Sequence, residues 1–259
     1  MTWHTSGRVA VVTGASSGIG EATVRRLSGV GMTVYAAARR GERLEALAEA
    51  HRGVVPHVAD VTDTAAVDAL ADRVRAEQGR CHALVNNAGV GGGPLEGRDG
   101  LDDTLRTIDV NLGGAVRCMA AFADLLEAGA PSRVINVASV AGKVGTGPAG
   151  YAASKFGMVG LSEALHLSWA PRGITVSQCN PGFIETEGFP QEQIKRSPAS
   201  RVLGAPEDVA EAILETLVHG DAERTVPRYY RGVVLLRHLA PGVFRAAIAR
   251  TERAGGRRD

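Results

Sequence analysis

Short, continuously apolar runs alternate with longer stretches of helical period along this chain. Val9 to Thr13, Thr33 to Ala37, Val54 to Ala59, Ala83 to Val85, Arg133 to Val137 and Ile174 to Gln178 predict strands. Their apolar residues run on without polar alternation, as in strands covered on both faces within a parallel sheet between two layers of helices. Helical spacing covers Ile19 to Ser28, Glu42 to His51, Thr64 to Glu77, Leu101 to Leu126, Tyr151 to Ala170 and Pro206 to His219. Pro206, with Glu207 and Asp208 behind it, suits a first helical turn, where a missing N–H is harmless and acids meet the positive end of the dipole. Gly53, Gly129 and Gly173 each follow a helix and suit reversal into the next element. The alternation predicts an α/β fold with a doubly wound parallel sheet and helices on both faces.

Composition changes this picture little. With 259 residues the chain has room for one large domain or two small ones. Lys and Arg number 29 against 28 Asp and Glu, so the near-zero net charge points to no nucleic-acid partner. Cys81, Cys118 and Cys179 lie far apart without C-x-x-C or Cys/His spacing, which predicts neither a disulfide framework nor a metal site and fits a reducing cytoplasm. No run approaches the roughly 20 apolar residues of a membrane span, and Met1 to Gly7 hold no apolar leader. A soluble cytoplasmic protein is expected.

Candidate chemistry begins between the first strand and first helix, at Thr13-Gly14-Ala15-Ser16-Ser17-Gly18-Ile19-Gly20. The spacing is G-x-x-x-G-x-G rather than the general G-x-G-x-x-G fingerprint, but the physics is shared. Glycines allow a tight turn and close backbone approach, and the N–H groups opening the helix face a pyrophosphate. A plain strand-to-helix turn also uses glycine; the hydroxyls of Ser16 and Ser17 and the position after the first strand favour a dinucleotide. At the end of the second strand, Ala36-Ala37-Ala38-Arg39-Arg40-Gly41 lacks the carboxylate that an NAD-selective site places on the ribose 2′-hydroxyl, and offers two guanidinium groups instead. Arginine's planar fork matches a 2′-phosphate, so NADP(H) is expected rather than NAD(H), with Arg39 the firmer assignment of the two.

Tyr151 and Lys155 are one helical turn apart and share a face. A free tyrosine has a pKa of about 10, and a neighbouring ammonium favours the phenolate, so such a Tyr can exchange a proton with a carbonyl or alcohol oxygen. Ser139 falls just past the fifth strand, at the carboxyl edge where ligands bind in such sheets. Asn111 sits inside the helix predicted from Leu101, where Asn has poor propensity and a side chain bonding the local backbone would distort the turn.

Together these residues resemble the short-chain dehydrogenase/reductase family, with a Rossmann-like fold, over about Arg8 to Ile213. The resemblance implies that the glycine loop holds the cofactor, that Asp60 and Val61 meet the adenine, and that Asn86-Asn87-Ala88-Gly89 is the family's N-N-A-G motif beside the cofactor. Asp60 also suits a turn or cap, and paired asparagines suit a turn. Pro181-Gly182 resembles the family's P-G segment, which implies Ile184 and Thr186 near the nicotinamide amide and phosphates. The resemblance makes Tyr151 the acid/base, Lys155 its tuning partner and a holder of the nicotinamide ribose, Ser139 a substrate-orienting group and Asn111 the anchor of a proton-relay water. Ser139 precedes Tyr151 by twelve residues, one fewer than is usual in the family, so the loop Val140 to Gly150 is expected to be shortened.

Residues 1–259 are then expected to form a single domain, because the glycine loop before Gly89 and the catalytic group after it must meet at one site. The small-molecule substrate is a carbonyl or alcohol, in a pocket lined by Val90, Leu95, Val144, Phe183 and Phe189 and covered by a lid running to about Ser200. Two other readings stand beside this one: an NAD(H)-dependent alcohol dehydrogenase, and a non-catalytic NADP(H)-sensing regulator. Residues 227–259 depart from the family's usual ending, a last strand and a glycine-rich segment. They predict two short surface helices, with an oligomer contact or peripheral membrane attachment as alternatives. The apolar circumference of the helix from Tyr151 separately suggests a homo-oligomer.

Overall fold

The structure, a computed structural model, describes residues 3–187 and 203–255, with side chains to residue 250. Seven parallel strands form one sheet in the order β3-β2-β1-β4-β5-β6-β7. They are β1 (Val9–Thr13), β2 (Thr33–Ala38), β3 (Val54–Val58), β4 (Ala83–Asn86), β5 (Ser132–Val137), β6 (Ile174–Pro181) and β7 (Glu223–Val226). Helices α1 (Gly18–Gly29), α2 (Gly41–Ala50), α3 (Thr64–Gln78), α4 (Gly97–Ile108), α5 (Gly114–Ala128), α6 (Ala141–Val144), α7 (Ala149–Ser168) and α8 (Pro206–His219) intervene. After β7 come α9 (Tyr230–Leu239) and α10 (Pro241–Gly255).

The strand pleat divides the core in two. Ala10 and Val12 face one layer with Val24 and Leu27 of α1 and Ile213 and Leu217 of α8. Val9 and Val11 face the other, with Leu70 and Val74 of α3, Phe122 and Leu126 of α5 and Met158 of α7. A small third cluster joins Val140 and Val144 to Tyr230 and Phe244, and so holds α9 and α10 against the sheet's carboxyl edge.

Three features depart from the sequence expectation. The strand β7 is a seventh, unforeseen one: Glu223 and Arg224 hide it from an apolar pattern, yet both are partnered. Glu223 accepts from Lys143 (2.8 Å) and Asn180 (3.0 Å), and Arg224 pairs with Glu215 and Asp221. The third strand, read as covered on both faces, is an edge strand with Val58 exposed, and Pro56 is tolerated there because its missing donor breaks no inner ladder. The single helix expected from Leu101 to Leu126 is α4 and α5 joined by a π-helical turn, Asp109–Gly113. Asn111 sits in that turn, and its amide bonds a distant segment rather than the local backbone of its own helix: Oδ1 accepts from the Val90 N–H (2.7 Å) and Nδ2 donates to the Val90 carbonyl (3.0 Å). Pro206 does open α8, whose Asp208 accepts from the Ala205 N–H at 3.1 Å.

Candidate active site

The strand order reverses between β1 and β4, and a cavity of about 1050 Å³ opens at the carboxyl edge there. At one end the backbone shapes it. Gly14 and Gly18 adopt φ of +65° and +56°, and a Cβ on Gly20 would lie 2.2 Å from the Gly14 carbonyl oxygen. Thr13 Oγ1 accepts the N–H groups of Asn87 (3.0 Å) and Ala88 (3.1 Å), while Asn87 Nδ2 donates to the Thr13 carbonyl (3.0 Å), tying the glycine loop to the segment after β4. Ser17 precedes α1 without capping it, since its hydroxyl accepts from Arg40 Nη2 (2.7 Å). The first N–H groups of α1 therefore keep their capacity for an anion.

Arg40 also donates from Nε to Ser16 Oγ (3.1 Å) and from Nη1 to Glu187 Oε1 (3.1 Å), and Arg43 pairs with the same carboxylate. Arg39 instead points toward Asp60, with Nη1 3.9 Å from Oδ2. Asp60 accepts the Thr62 N–H (2.9 Å) and hydroxyl (2.8 Å), and these bonds hold its carboxyl below the usual carboxylate range. Asp60, Val61, Ala88, Gly89, Pro181, Gly182, Ile184 and Thr186 line the cavity with Gly14, Ser16, Ser17, Gly18, Ile19, Arg39 and Arg40. Asn86 does not line it. It is turned into the sheet, where Nδ2 donates to Asn136 Oδ1 (2.8 Å), and Asn87 takes the cavity-facing place.

Midway along the cavity stand Ser139, Tyr151 and Lys155. The Tyr151 hydroxyl hydrogen-bonds Ser139, so the intervening loop, folded into α6 and closed by left-handed Gly145, brings the two together. Lys155 Nζ donates to the Val137 carbonyl (2.8 Å) and lies 5.7 Å from the centroid of the Tyr151 ring. The lowering of the Tyr151 pKa expected from Lys155 is not what the protein alone provides. Burial pushes the Tyr151 hydroxyl above its ordinary value, partly offset by Ser139, and pushes the Lys155 amine down to about 8. Asn111 is wholly buried and does not line the cavity; its Nδ2 donates to Ser154 Oγ (3.0 Å), which donates to the Tyr151 carbonyl (2.8 Å). It braces the Tyr151 turn and the segment at Val90.

The far end is walled by side chains. Val90, Val144 and Phe183 line it as expected, while Leu95 is exposed outside it and Phe189, with the lid beyond Glu187, lies outside the described residues. Tyr230, Val233, Phe244 and Ile248 of α9 and α10 complete the wall, and the sequence reading missed them. One signal pointed there: a Cβ on Gly182 would lie 2.1 Å from the Tyr230 ring, so the P-G segment must be bare for α9 to approach. Among the described residues no cluster of His, Cys, Asp or Glu could hold a metal, and no helix is long and apolar enough to cross a membrane.

The fold and this arrangement define a dinucleotide-binding oxidoreductase architecture. The family model for short chain dehydrogenases matches residues 8–196, and the chain belongs to that family. It is 36% identical over 220 residues to the 3-oxoacyl-(acyl-carrier-protein) reductase FabG of Thermotoga maritima, covering 80% of this chain and 89% of that protein. A short chain dehydrogenase/reductase from Burkholderia phymatum in complex with NAD superposes with a TM-score of 0.80 at 28% identity, covering 91% of this chain and 94% of that one. A variant of actinorhodin polyketide ketoreductase with NADPH superposes with a TM-score of 0.76 at 32% identity, covering 87% and 97%.

Proposed function

We propose that this oxidoreductase binds NADP(H) and reduces a ketone or aldehyde to an alcohol, or runs the reverse, within one domain spanning residues 1–259. The observation that carries the reading is the Tyr151 hydroxyl, hydrogen-bonded to Ser139 and beside Lys155, inside the cavity that begins at the glycine loop. The cradle fits a dinucleotide. The uncapped start of α1 suits the pyrophosphate, and the hydroxyls of Ser16 and Ser17 with the Arg40 guanidinium suit a phosphate on the ribose. The bound nicotinamide would supply or accept the hydride.

Within that frame Ser139 orients the substrate oxygen, and Tyr151 gives that oxygen a proton on reduction or takes one on oxidation. A hydroxyl held neutral by burial is primed to donate. The Lys155 ammonium, fixed by the Val137 carbonyl, is the nearby cation that stabilises the phenolate left behind. Asn111 acts by positioning the Tyr151 turn. A homo-oligomer in a reducing cytoplasm completes the reading, with exposed Phe156 and Leu167 on α7 offering contact surface and all three cysteines free and buried.

The test is a screen of ketones and alcohols with NADPH and NADP⁺, followed by absorbance of the reduced nicotinamide. On the best substrate, Tyr151→Phe should lower kcat by roughly 10²–10⁴-fold, the usual contribution of a positioned acid/base, while NADPH binding stays within about twofold. Near-native turnover of that variant would overturn the assignment.

A further inference from the structure

The helices α9 and α10 have two different faces. Their inner faces carry Tyr230, Val233, Phe244 and Ile248 into the cavity wall. On the outer side of α9, Arg231, Leu235 and Leu239 stand one turn apart and form a stripe, with Leu236 at its flank. On α10, Val243, Ala247 and Arg250 share the outer face in the same way. Leu239 is 75% exposed, Val243 62%, Leu235 57% and Leu236 41%, so the junction at Ala240, where α9 ends and Pro241 opens α10, is an apolar tip in solvent. Along this segment the charge has one sign. From Pro227 to Arg250 there are arginines at 228, 231, 237, 245 and 250 and no Asp or Glu, although the whole chain is nearly neutral. Arg228, Arg231, Arg245 and Arg250 are exposed.

We propose that the α9–α10 hairpin docks the protein onto an anionic lipid bilayer. Leu235, Leu239 and Val243 enter the boundary between headgroups and acyl chains, and the surrounding arginines pair with lipid phosphates. The hairpin lies on the membrane rather than crossing it, since the ten residues of α9 extend only about 15 Å against roughly 30 Å of hydrocarbon. A second copy of the chain is a poorer occupant. A two-fold contact would set this face against itself, arginine against arginine, whereas an anionic surface neutralises every one. Because the inner faces of the same helices wall the cavity, docking brings its mouth to the lipid boundary. If the reductase reading holds, an apolar carbonyl compound dissolved in the bilayer is then the class of substrate this mouth admits.

The test is sedimentation of the full chain with phosphatidylcholine vesicles, with and without phosphatidylglycerol. Binding is expected only to the anionic vesicles, falling as salt is raised. At about 1 kcal/mol per arginine near such a surface, the triple variant Arg228→Gln, Arg231→Gln, Arg245→Gln should bind on the order of a hundredfold more weakly. Leu239→Asp with Val243→Asp should abolish sedimentation while leaving NADPH affinity within twofold, which shows that the variant is folded. Three results would overturn the proposal: no binding to anionic vesicles at low salt, binding unaffected by the aspartates, or a fall in solution mass with the aspartates, which would mark the face as a contact between copies. The vesicle readout is independent of turnover, so it stands or fails apart from the reductase reading.

Discussion

The two ends of the cavity are built in opposite ways. At the glycine loop the surface is backbone, held by positive φ at Gly14 and Gly18 and by the absence of a side chain at Gly20. At the C-terminal end it is side chains, Tyr230, Val233, Phe244 and Ile248, delivered by two helices that touch the rest of the molecule mainly through one small apolar cluster. A ligand common to a whole family can be met by backbone geometry, which few substitutions alter. The part of a site that distinguishes one substrate from another is better made of side chains on a separable element, which can change without disturbing the sheet.

That contrast predicts separable damage. Phe244, 5% exposed, is the large side chain that seats α10, and Phe244→Ala should cost about 3 kcal/mol. The loss should fall on the hairpin, read as hydrogen-exchange protection of α9 and α10 with the sheet unaffected, and cofactor affinity should stay within twofold. Gly20→Ala should do the reverse. A Cβ 2.2 Å from a backbone oxygen forces the loop to move, at a cost near the upper end of 1–3 kcal/mol, and dinucleotide affinity should drop by up to about a hundredfold while hairpin protection is kept. Equal effects of both changes on both readouts would show that the ends are one cooperative unit.

A smaller effect belongs to the group between them. Burial pushes Lys155 down to about 8, whereas in the unfolded chain it titrates near its ordinary 10.5. Between those values the unfolded state holds the extra proton, so this residue's penalty on folding is complete below pH 8 and is relieved as pH rises toward 10.5. Lys155→Met removes roughly 3 kcal/mol of penalty and leaves the Val137 carbonyl without its donor, for a net gain of about 2 kcal/mol at pH 7. Denaturant melts should show the variant as the more stable protein at pH 7, with the gap shrinking above pH 8 and turnover lost throughout. A native chain more stable than the variant at pH 7 would contradict this account.

The same contrast decides what could be read from sequence. Asn86, expected beside the cofactor, is turned into the sheet by Asn136 on the neighbouring strand, but the glycine loop, the turn from Asn87 to Gly89 and the pair Tyr151 and Lys155 are local patterns, with geometry set largely by nearest neighbours along the chain. They were legible, as were six strands and the C-terminal helix pair. The seventh strand was not, because Glu223 and Arg224 satisfy their charges through partners as distant as Lys143 and Asn180. Nor was the π-helical turn, where Asn111 answers to the backbone of Val90 across the fold. The wall from Tyr230 to Ile248 left a trace only in the bare backbone that Gly182 must present to it.

The smallest effect tests the order of the two arginines after β2. Sequence favours Arg39, the first guanidinium past the place where an acid would bind the ribose. The geometry favours Arg40, whose Nε and Nη2 hold the hydroxyls of Ser16 and Ser17 at 3.1 and 2.7 Å, whereas Arg39 is 63% exposed and among the described residues reaches only Asp60, at 3.9 Å. A 2′-phosphate accepting from Arg40 also has an internal competitor, because Glu187 already takes Nη1 at 3.1 Å and Arg43 as well. A charge-assisted contact contributes about 1.5–3 kcal/mol, and solvent at this half-exposed side chain favours the lower figure. Arg40→Ala should therefore weaken NADPH roughly tenfold and NADH hardly at all, with Arg39→Ala weaker in both respects. Glu187→Gln should tighten NADPH alone, since it removes the competing carboxylate without removing a phosphate ligand. Titration of the three variants with both cofactors separates the cases: a larger NADPH loss in Arg39→Ala restores the sequence order, and equal losses for NADPH and NADH in Arg40→Ala mean that this arginine braces the glycine loop and reads no phosphate.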